Sequence, residues 1–390
     1  VPKKAGMNSQ NQKCKNRGLL LKLICTGKEP SRIQLSQATG LTKMAVTNII
    51  SELMEQGYVE EGTASLNTGV GRNPIILTAA SNAPKIIGVH ISRDGCYAGL
   101  FDLKLQVLAE EVQPFASETQ ESIIEKLFTA LDRIYAKEHH ILGCGISIVG
   151  PLDVLSGMVL NPPDFFGIVN LPLVHLLSQR YHFDVLMNND MNGAALAEKL
   201  YGAGKKYHNF LYVGISHGIG SGIISEDRLF QNGSGFVGEL GHTSIDCQGE
   251  LCACGRKGCL ECYISEPVML DKLKTSTGWQ LSFREFCQRS DDPRVDAILT
   301  DMVCKLSYAL VNQVNLLNPQ AIFIGHEGSF VPDRYISFLE KEINCRKFSQ
   351  DYLKIRVEKS PFGVHAPLYG SACLVLDRFF ENGGLEEEPN

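Results

Sequence analysis

The sequence predicts a small helical head carrying a β-hairpin, joined to a larger α/β body, and three observations predict it. Three short helical patterns crowd the first 55 residues, apolar strand-like runs alternate with helical periodicity beyond Ala83, and positive charge concentrates ahead of that point. At 390 residues the chain exceeds what one hydrophobic core usually supports, so two or three domains are expected.

In the head, Leu19, Leu20, Leu21, Leu23 and Ile24 within 16–24 fit one buried helix face. A break follows at 27–30, Ser31 is placed to cap a second helix over 32–38, and Gly40 turns the chain tightly before Thr42 caps a third. In the third helix Ala45, Val46, Ile49, Ile50 and Leu53 form the inward stripe, which leaves Thr42, Lys43, Met44, Thr47, Asn48 and Ser51 facing out. Small polar side chains with one lysine make a surface that can enter a major groove. Tyr58 and Val59 then begin a hairpin whose polar tip holds Thr68, Gly69, Gly71, Arg72 and Asn73 and whose return strand covers 75–77, completing a winged helix-turn-helix. Arg72 at a glycine-rich tip suits a narrow minor groove. The DNA-contacting set expected from this reading is Arg32, Thr42, Lys43, Met44, Thr47, Asn48, Gly71 and Arg72; the alternative is a three-helix protein-interaction module.

Charge supports the DNA reading. Residues 1–82 hold ten Lys/Arg against five Asp/Glu, a net +5, whereas the whole chain is at −6, so the body carries −11. One segment is made to approach a polyanion and the remainder is not.

In the body, apolar runs at 85–91, 143–149, 184–187, 210–215 and 321–324 read as buried strands, and 120–135, 191–201 and 295–317 carry helical periodicity. Two halves with a divide near Asn189 fit this length. No short-period repeat suggests a solenoid. The longest stretch without charge, 306–326, contains three Asn, two Gln and a Pro, so no membrane span is expected. The opening residues lack the pattern of a secretory signal, which makes the cytoplasm the expected location. The 13 cysteines are mostly scattered singly, so reduced thiols are expected outside one dense group.

That group carries the strongest chemical signal. Cys252, Cys254 and Cys259 form Cys-x-Cys-x4-Cys on a glycine-rich loop ten residues after His242. Three thiolates and one imidazole complete a tetrahedral Zn2+ shell with no open position, the pattern of a structural site. Cys247 and Cys262 remain alternative ligands, because spacing alone does not separate them.

The same residues sit in a larger pattern: Gly-Glu-x-Gly-His at 238–242, then Cys-x-Cys-Gly-x2-Gly-Cys-x-Glu at 252–261. This pattern resembles that of the ROK family of repressors, open reading frames and sugar kinases, and with the winged helix attached it is similar to the branch of sugar-responsive repressors. The resemblance spans nearly the whole chain. It implies a two-lobed actin-like, ribonuclease H-like body, with the head at 7–82, a first lobe at 83–188 completed by a helix at about 365–380, and a second lobe at 189–364 bearing the zinc loop and a dimerisation surface. It further implies a monosaccharide pocket formed by Gly150, Asn161, Asn189, Asp190, Glu239, His242 and Glu261. Carboxylates and amides suit that task, because they pair with adjacent sugar hydroxyls as donors and acceptors. His242 would serve both zinc and sugar.

In kinase members the residue matching Asp190 is the general base, and it is retained. The phosphate end is not. Where those kinases carry Asp-x-Gly-Gly-Thr after the first strand, this chain has His90, Ile91, Ser92, Arg93, Asp94 and Gly95. A second phosphate loop survives in part over 216–220, and the nucleotide loop near Gly325, His326, Glu327 and Gly328 places a carboxylate where phosphates would lie. Phosphoryl transfer depends on such positioning, so the chain is expected to have no enzymatic activity. The expected function is a sugar-responsive repressor that binds double-stranded operator DNA as a homodimer or dimer of dimers. The competing readings are an ATP-dependent sugar kinase with a DNA-binding head and a regulator controlled by a protein partner.

Overall fold

The computed structural model describes residues 9–62, 75–231 and 235–384. The head comprises helices α1 (Ser9–Thr26), α2 (Arg32–Thr39) and α3 (Lys43–Glu55) and strands β1 (Val59–Gly62) and β2 (Ile76–Ala79). The body continues with β3 (Lys85–Ile91), β4 (Gly95–Phe101), β5 (Val107–Pro114), α4 (Gln120–Tyr135), β6 (Ile141–Ile148), β7 (Leu152–Asp153), β8 (Met158–Val159), α5 (Leu173–Arg180), β9 (Val185–Asn189) and α6 (Asp190–Leu200). It ends with β10 (Phe210–Ile215), β11 (Ile219–Ser225), β12 (Arg228–Leu229), α7 (Glu261–Ile264), α8 (Glu266–Thr277), α9 (Phe283–Gln288), α10 (Pro293–Leu317), β13 (Ala321–His326), α11 (Asp333–Arg346), β14 (Arg356–Lys359) and α12 (Ala366–Glu381).

Local signals set the helix boundaries in the head. Ser31 accepts from the backbone of Gln34 while the Gln34 side chain accepts from the backbone of Ser31, a reciprocal cap, and Thr42 accepts from Ala45 N. Gly40, at φ +71°, closes α2 in the left-handed region that glycine adopts without strain. Val46, Ile49, Ile50 and Leu53 are buried with Leu20, Leu21, Ile24, Leu35 and Leu77, and each such side chain contributes about 1.5–3 kcal/mol by leaving water. Strands β1 and β2 pair antiparallel from Val59 with Ala79 to Gly62 with Ile76. The hairpin tip proposed to hold Thr68, Gly69, Gly71, Arg72 and Asn73 lies outside the described residues.

The body has two five-stranded sheets, ordered β5-β4-β3-β6-β9 and β12-β11-β10-β13-β14. In each, the first three strands form an antiparallel meander. In the second sheet β13 and β14 then add in parallel. Helix α4 covers β4 and β5, and α6 covers β10 and β11. A core shared by β10, β13, α8, α10 and α11 includes Val213, Ile215, Leu273, Leu306, Leu310, Ile322 and Leu339. Strands β3 and β10 and helix α4 coincide with the expected spans, whereas β4, β5 and β11 carried too little apolar signal. Strand β4 is rich in Gly, Ala and Cys, β5 alternates with no fully buried residue, and β11 is interrupted by Gly220 and Gly222.

Contacts divide the chain into two compact units, one made of 1–146, 173–187 and 372–390, the other of 147–172 and 188–371. This grouping differs from the expected boundaries in two respects. Segment 147–172 belongs with the second sheet, where Leu152 O lies close to Gly235. The head groups with the first sheet. The Tyr58 ring meets Phe379 edge-on with centroids 5.1 Å apart, and Lys104, from the turn after β4, reaches both Glu29 and Thr78 at 3.3 Å.

Candidate metal centre and polar pocket

All seven proposed pocket residues belong to the second unit. Strand β9 ends in Asn188 and Asn189, and α6 starts at Asp190. Asn189 caps that helix by accepting from Met191 N at 3.0 Å, and one Asp190 oxygen also faces Met191 N at 2.9 Å. Both side chains are thus held at the positive end of a helix, which favours the Asp190 carboxylate. Gly150 precedes a cis proline, and a β-carbon there would sit 3.5 Å from Asn189 Nδ2, so the backbone approaches this amide closely.

Strand β11 links this corner to the second cluster. Gly220 packs under Met191, and the Ile219 N–H donates to Glu261 Oε2 at 3.1 Å. Glu239 precedes a single 3-10 turn that ends at His242, with His242 N donating to Glu239 O at 3.2 Å. The Glu239 carboxyl is held above the usual range, first by partial desolvation, which His242 opposes and Glu261 reinforces. Glu239 as a residue still reaches solvent, so only part of its carboxyl is enclosed. The structure therefore brings Glu239, His242 and Glu261 together, and Gly150, Asn189 and Asp190 together. Asn161 stands exposed on the loop after β8, without a hydrogen bond to the others among the described residues.

His242, Cys252, Cys254 and Cys259 present four ligand atoms all within 4.8 Å of one another. His242 Nδ1 lies 3.7 Å from Cys252 Sγ, and Cys254 Sγ lies 3.6 Å from Cys259 Sγ. A tetrahedron of about 2.3 Å zinc–sulfur bonds has edges of roughly 3.8 Å, so the donor spacing fits such an ion. Gly258, at φ +71°, lets the loop close. A β-carbon there would stand 1.7 Å from Asp246 O. Hydrogen bonding from the Arg256 backbone draws the Cys254 thiol down to about 7, whereas burial pushes Cys259 up to about 12. A cation would let both ionise. Of the alternative ligands, Cys247 is exposed and outside the group, and Cys262, also outside it, has its thiol against Cys252 and is pushed up to about 11, chiefly by desolvation.

In the head, Thr42, Lys43, Met44, Thr47 and Asn48 all face solvent, and Met44 is 75% exposed. Arg32 is engaged with Glu61 at 3.0 Å. Gly71 and Arg72 lie outside the described residues.

Sequence reasoning missed the support beneath the pocket. Asn188 Oδ1 accepts from Asn189 N at 2.8 Å and from Asn192 Nδ2 at 3.0 Å, while Asn188 Nδ2 donates to Gln231 at 3.1 Å. The run Asn188, Asn189, Asp190, Asn192, polar where an apolar strand meets a helix, was the available signal. Glu198 was also missed: it is fully buried on α6, accepts from Ser360 Oγ and Ala203 N, and is pushed up to about 7 by desolvation.

A metal-competent loop and two five-stranded sheets of one strand plan define a body of the sugar-kinase-like fold, preceded by a head of three helices and a two-stranded hairpin. The chain belongs to the ROK family, whose model matches residues 86–378. It is 30% identical over 381 residues to a xylose repressor of Caldicellulosiruptor bescii, covering 93% of this chain and 95% of that protein. The fold matches a ROK family transcriptional regulator described as a homolog of the E. coli MLC protein, at TM-score 0.81, 25% identity and coverage of 95% and 98% of the two chains. A ROK hexokinase from Thermus thermophilus matches at TM-score 0.64 and 26% identity, covering 74% of this chain and 97% of its own. Among the described residues no helix is long and apolar enough to cross a membrane.

Proposed function

We propose that this chain is a sugar-responsive transcriptional repressor that binds double-stranded operator DNA as a homodimer. The reading is carried by one observation: the similarity to a xylose repressor runs along the whole chain, head included, whereas the hexokinase match covers three quarters of it. Thr42, the cap of α3, and Lys43, Met44, Thr47 and Asn48 on its solvent face contact DNA together with Arg32, Gly71 and Arg72. A monosaccharide is held by Asn189, Asp190, Glu239, His242 and Glu261, with Gly150 admitting it and Asn161 closing over it. Their carboxylates and amides accept from and donate to neighbouring hydroxyls. Zn2+ on His242, Cys252, Cys254 and Cys259 is structural, and it fixes the imidazole so that the second ring nitrogen faces the sugar. The sugar acts by binding two conformations unequally.

The protein is not a kinase in this reading. At the turn after β3 the amide of Ser92 is spent on Gly95 O at 2.9 Å, and the Ser92 hydroxyl on Asp94. Those two donors of Ser92 are therefore turned inward rather than towards a phosphate.

The test is an electrophoretic mobility shift on palindromic DNA with a panel of monosaccharides, xylose first. The expected result is a sugar-dependent change in affinity that Asp190→Ala abolishes while DNA binding stays. The same variant also loses the thermal stabilisation by sugar, which for a ligand at 100 times Kd is about 2.7 kcal/mol. A DNA complex indifferent to every sugar overturns the effector reading, and ATP-dependent sugar phosphorylation lost in Asp190→Ala would replace it with the kinase.

A further inference from the structure

Cys262, the second residue of α7, stands beside the metal loop but outside its donor set. The ligand atoms of His242, Cys252, Cys254 and Cys259 all lie within 4.8 Å of one another, and Cys262 does not join them. Its thiol nevertheless lies against that of Cys252. The backbone enforces this contact. Cys252 N donates to Arg256 O at 2.8 Å and Leu251 bridges to Lys257, so the loop doubles back around Gly255 at φ +84°. Cys262 N donates to Cys259 O at 3.1 Å, which starts α7 directly from that loop. Outside the pair, Glu250 N donates to Tyr263 Oη at 2.9 Å, and a β-carbon on Gly249 would stand 2.1 Å from the same oxygen. Residues 250 and 263 thus clamp the chain on the far side of 252 and 262.

A sulfur that holds a cation does so as the thiolate, and the thiolate is the form that peroxides oxidise. The sulfenic acid so formed condenses with a thiol in reach. Cys254 is exposed and Cys262 half-buried, so the cluster lies at the protein surface, within reach of a molecule as small as hydrogen peroxide. Cys262 is in contact with one donor and spare to the four, which is the position of a reaction partner and not of a ligand.

We propose that Cys262 is a resolving thiol: once hydrogen peroxide has oxidised Cys252, the two cysteines form a disulfide and the chain gives up its zinc. The inference rests on the zinc reading above and adds a means of unloading the site. In the first step the Cys252 thiolate attacks peroxide; an S–O bond forms, the O–O bond breaks, and the departing hydroxide takes up a proton to become water. In the second the Cys262 sulfur attacks that of Cys252; the S–S bond forms, the S–O bond breaks, and the thiol proton leaves with the hydroxyl as a second water. Together the two sulfurs lose two electrons, and the peroxide that gains them ends as two waters. In the product the sulfurs stand about 2.05 Å apart and Cys252 has no charge left to offer a cation, so three donors remain of a closed set of four. On the sugar reading, His242 is then no longer held in place and the effector is lost with it.

The experiment treats the reduced, zinc-loaded full chain with hydrogen peroxide, reading zinc with a chromogenic chelator and disulfides by peptide mass mapping, for the wild type, Cys262→Ala and Cys247→Ala. The wild type is expected to release its zinc as a peptide pair joined through Cys252 and Cys262 appears, and to take zinc up again after a thiol reductant. Cys262→Ala is expected to hold as much zinc as the wild type beforehand, to release it roughly tenfold more slowly because no resolving thiol stands in place, and to end in sulfinic acid, which the reductant does not reverse. Cys247→Ala, which removes an exposed cysteine outside the donor set, should behave as the wild type. A bridge between Cys254 and Cys259, whose sulfurs lie 3.6 Å apart, as the main product overturns the assignment. So does equal release from the wild type and Cys262→Ala, or a folded Cys262→Ala that starts without zinc, since Cys262 would then be a ligand. A wild type that holds zinc and keeps it under peroxide sinks this inference alone, whereas a reduced wild type that never holds zinc sinks the metal reading beneath it as well.

Discussion

The turns that follow the first strand of each sheet stand in the same place in the strand plan and are equipped in opposite ways. After β3, Asp94 accepts from Ser92 Oγ and from Tyr97 Oη at 2.5 Å, and the Tyr97 ring stacks on buried His90 with centroids 6.0 Å apart. After β10, Gly218 leaves room for the Glu261 carboxylate, which a β-carbon there would meet at 2.5 Å. The first turn spends its polar groups on itself. The second is shaped to bring a distant carboxylate close to the sheet edge. A strand plan therefore does not fix the chemistry of its turns, and a turn closed on itself in one sheet is compatible with a carboxylate gathered at the matching turn of the other.

The largest way to break this contrast is to remove the brace of the second side. Cys259→Ala leaves three metal ligands, and loss of a metal site belongs among the costliest single changes, about 4 kcal/mol or more. The expected result is loss of bound zinc in elemental analysis together with a fall in Tm of roughly 8–16 °C. Retention of metal and Tm would show that Cys262 substitutes.

Next comes a contrast of carboxyls. Glu198, beneath the second sheet, is held up at about 7 by desolvation, whereas its unfolded value is 4.5. The folded state therefore binds a proton that the unfolded state releases between those values. Stability from this group is fully present below about pH 4.5 and is lost as pH rises through 7. Glu198→Gln should remove that dependence and raise stability at pH 8 by about 3 kcal/mol relative to wild type, with little change at pH 4. Urea denaturation at both pH values reads it.

Asp94 runs the other way, with a smaller effect. Desolvation pushes its carboxyl up, but the hydrogen bonds from Ser92 and Tyr97, with His90 nearby, outweigh this and hold it below 3.8. Its contribution is present above that value and lost as pH falls through the depressed one. Since Asp94 is exposed, Tyr97→Phe should cost about 1 kcal/mol or less at pH 7 in the same assay. His90→Asp should not confer sugar phosphorylation, because the turn still consumes its own donors.

What was legible in the sequence follows the range of the signal. Ser31, Gly40 and Thr42 act within four residues, so the head could be read directly, and the metal ligands lie within eighteen residues on one loop. The proposed pocket draws on residues from Gly150 to Glu261, and only a family resemblance joined them. Glu198 was silent, because a charged residue in sequence looks like surface until packing removes its solvent. The wing tip was read as a DNA contact through Arg72, and it lies outside the described residues.

Lys104 carries a further implication. From the turn between β4 and β5 its ammonium holds both Glu29, ahead of α2, and Thr78, in the return strand of the wing. Both contacts lie within one compact unit, so this lysine links the segment ahead of α2 and the hairpin to the first sheet. On the proposed repressor reading, selection for variants whose DNA binding no longer responds to sugar should then recover substitutions at position 104.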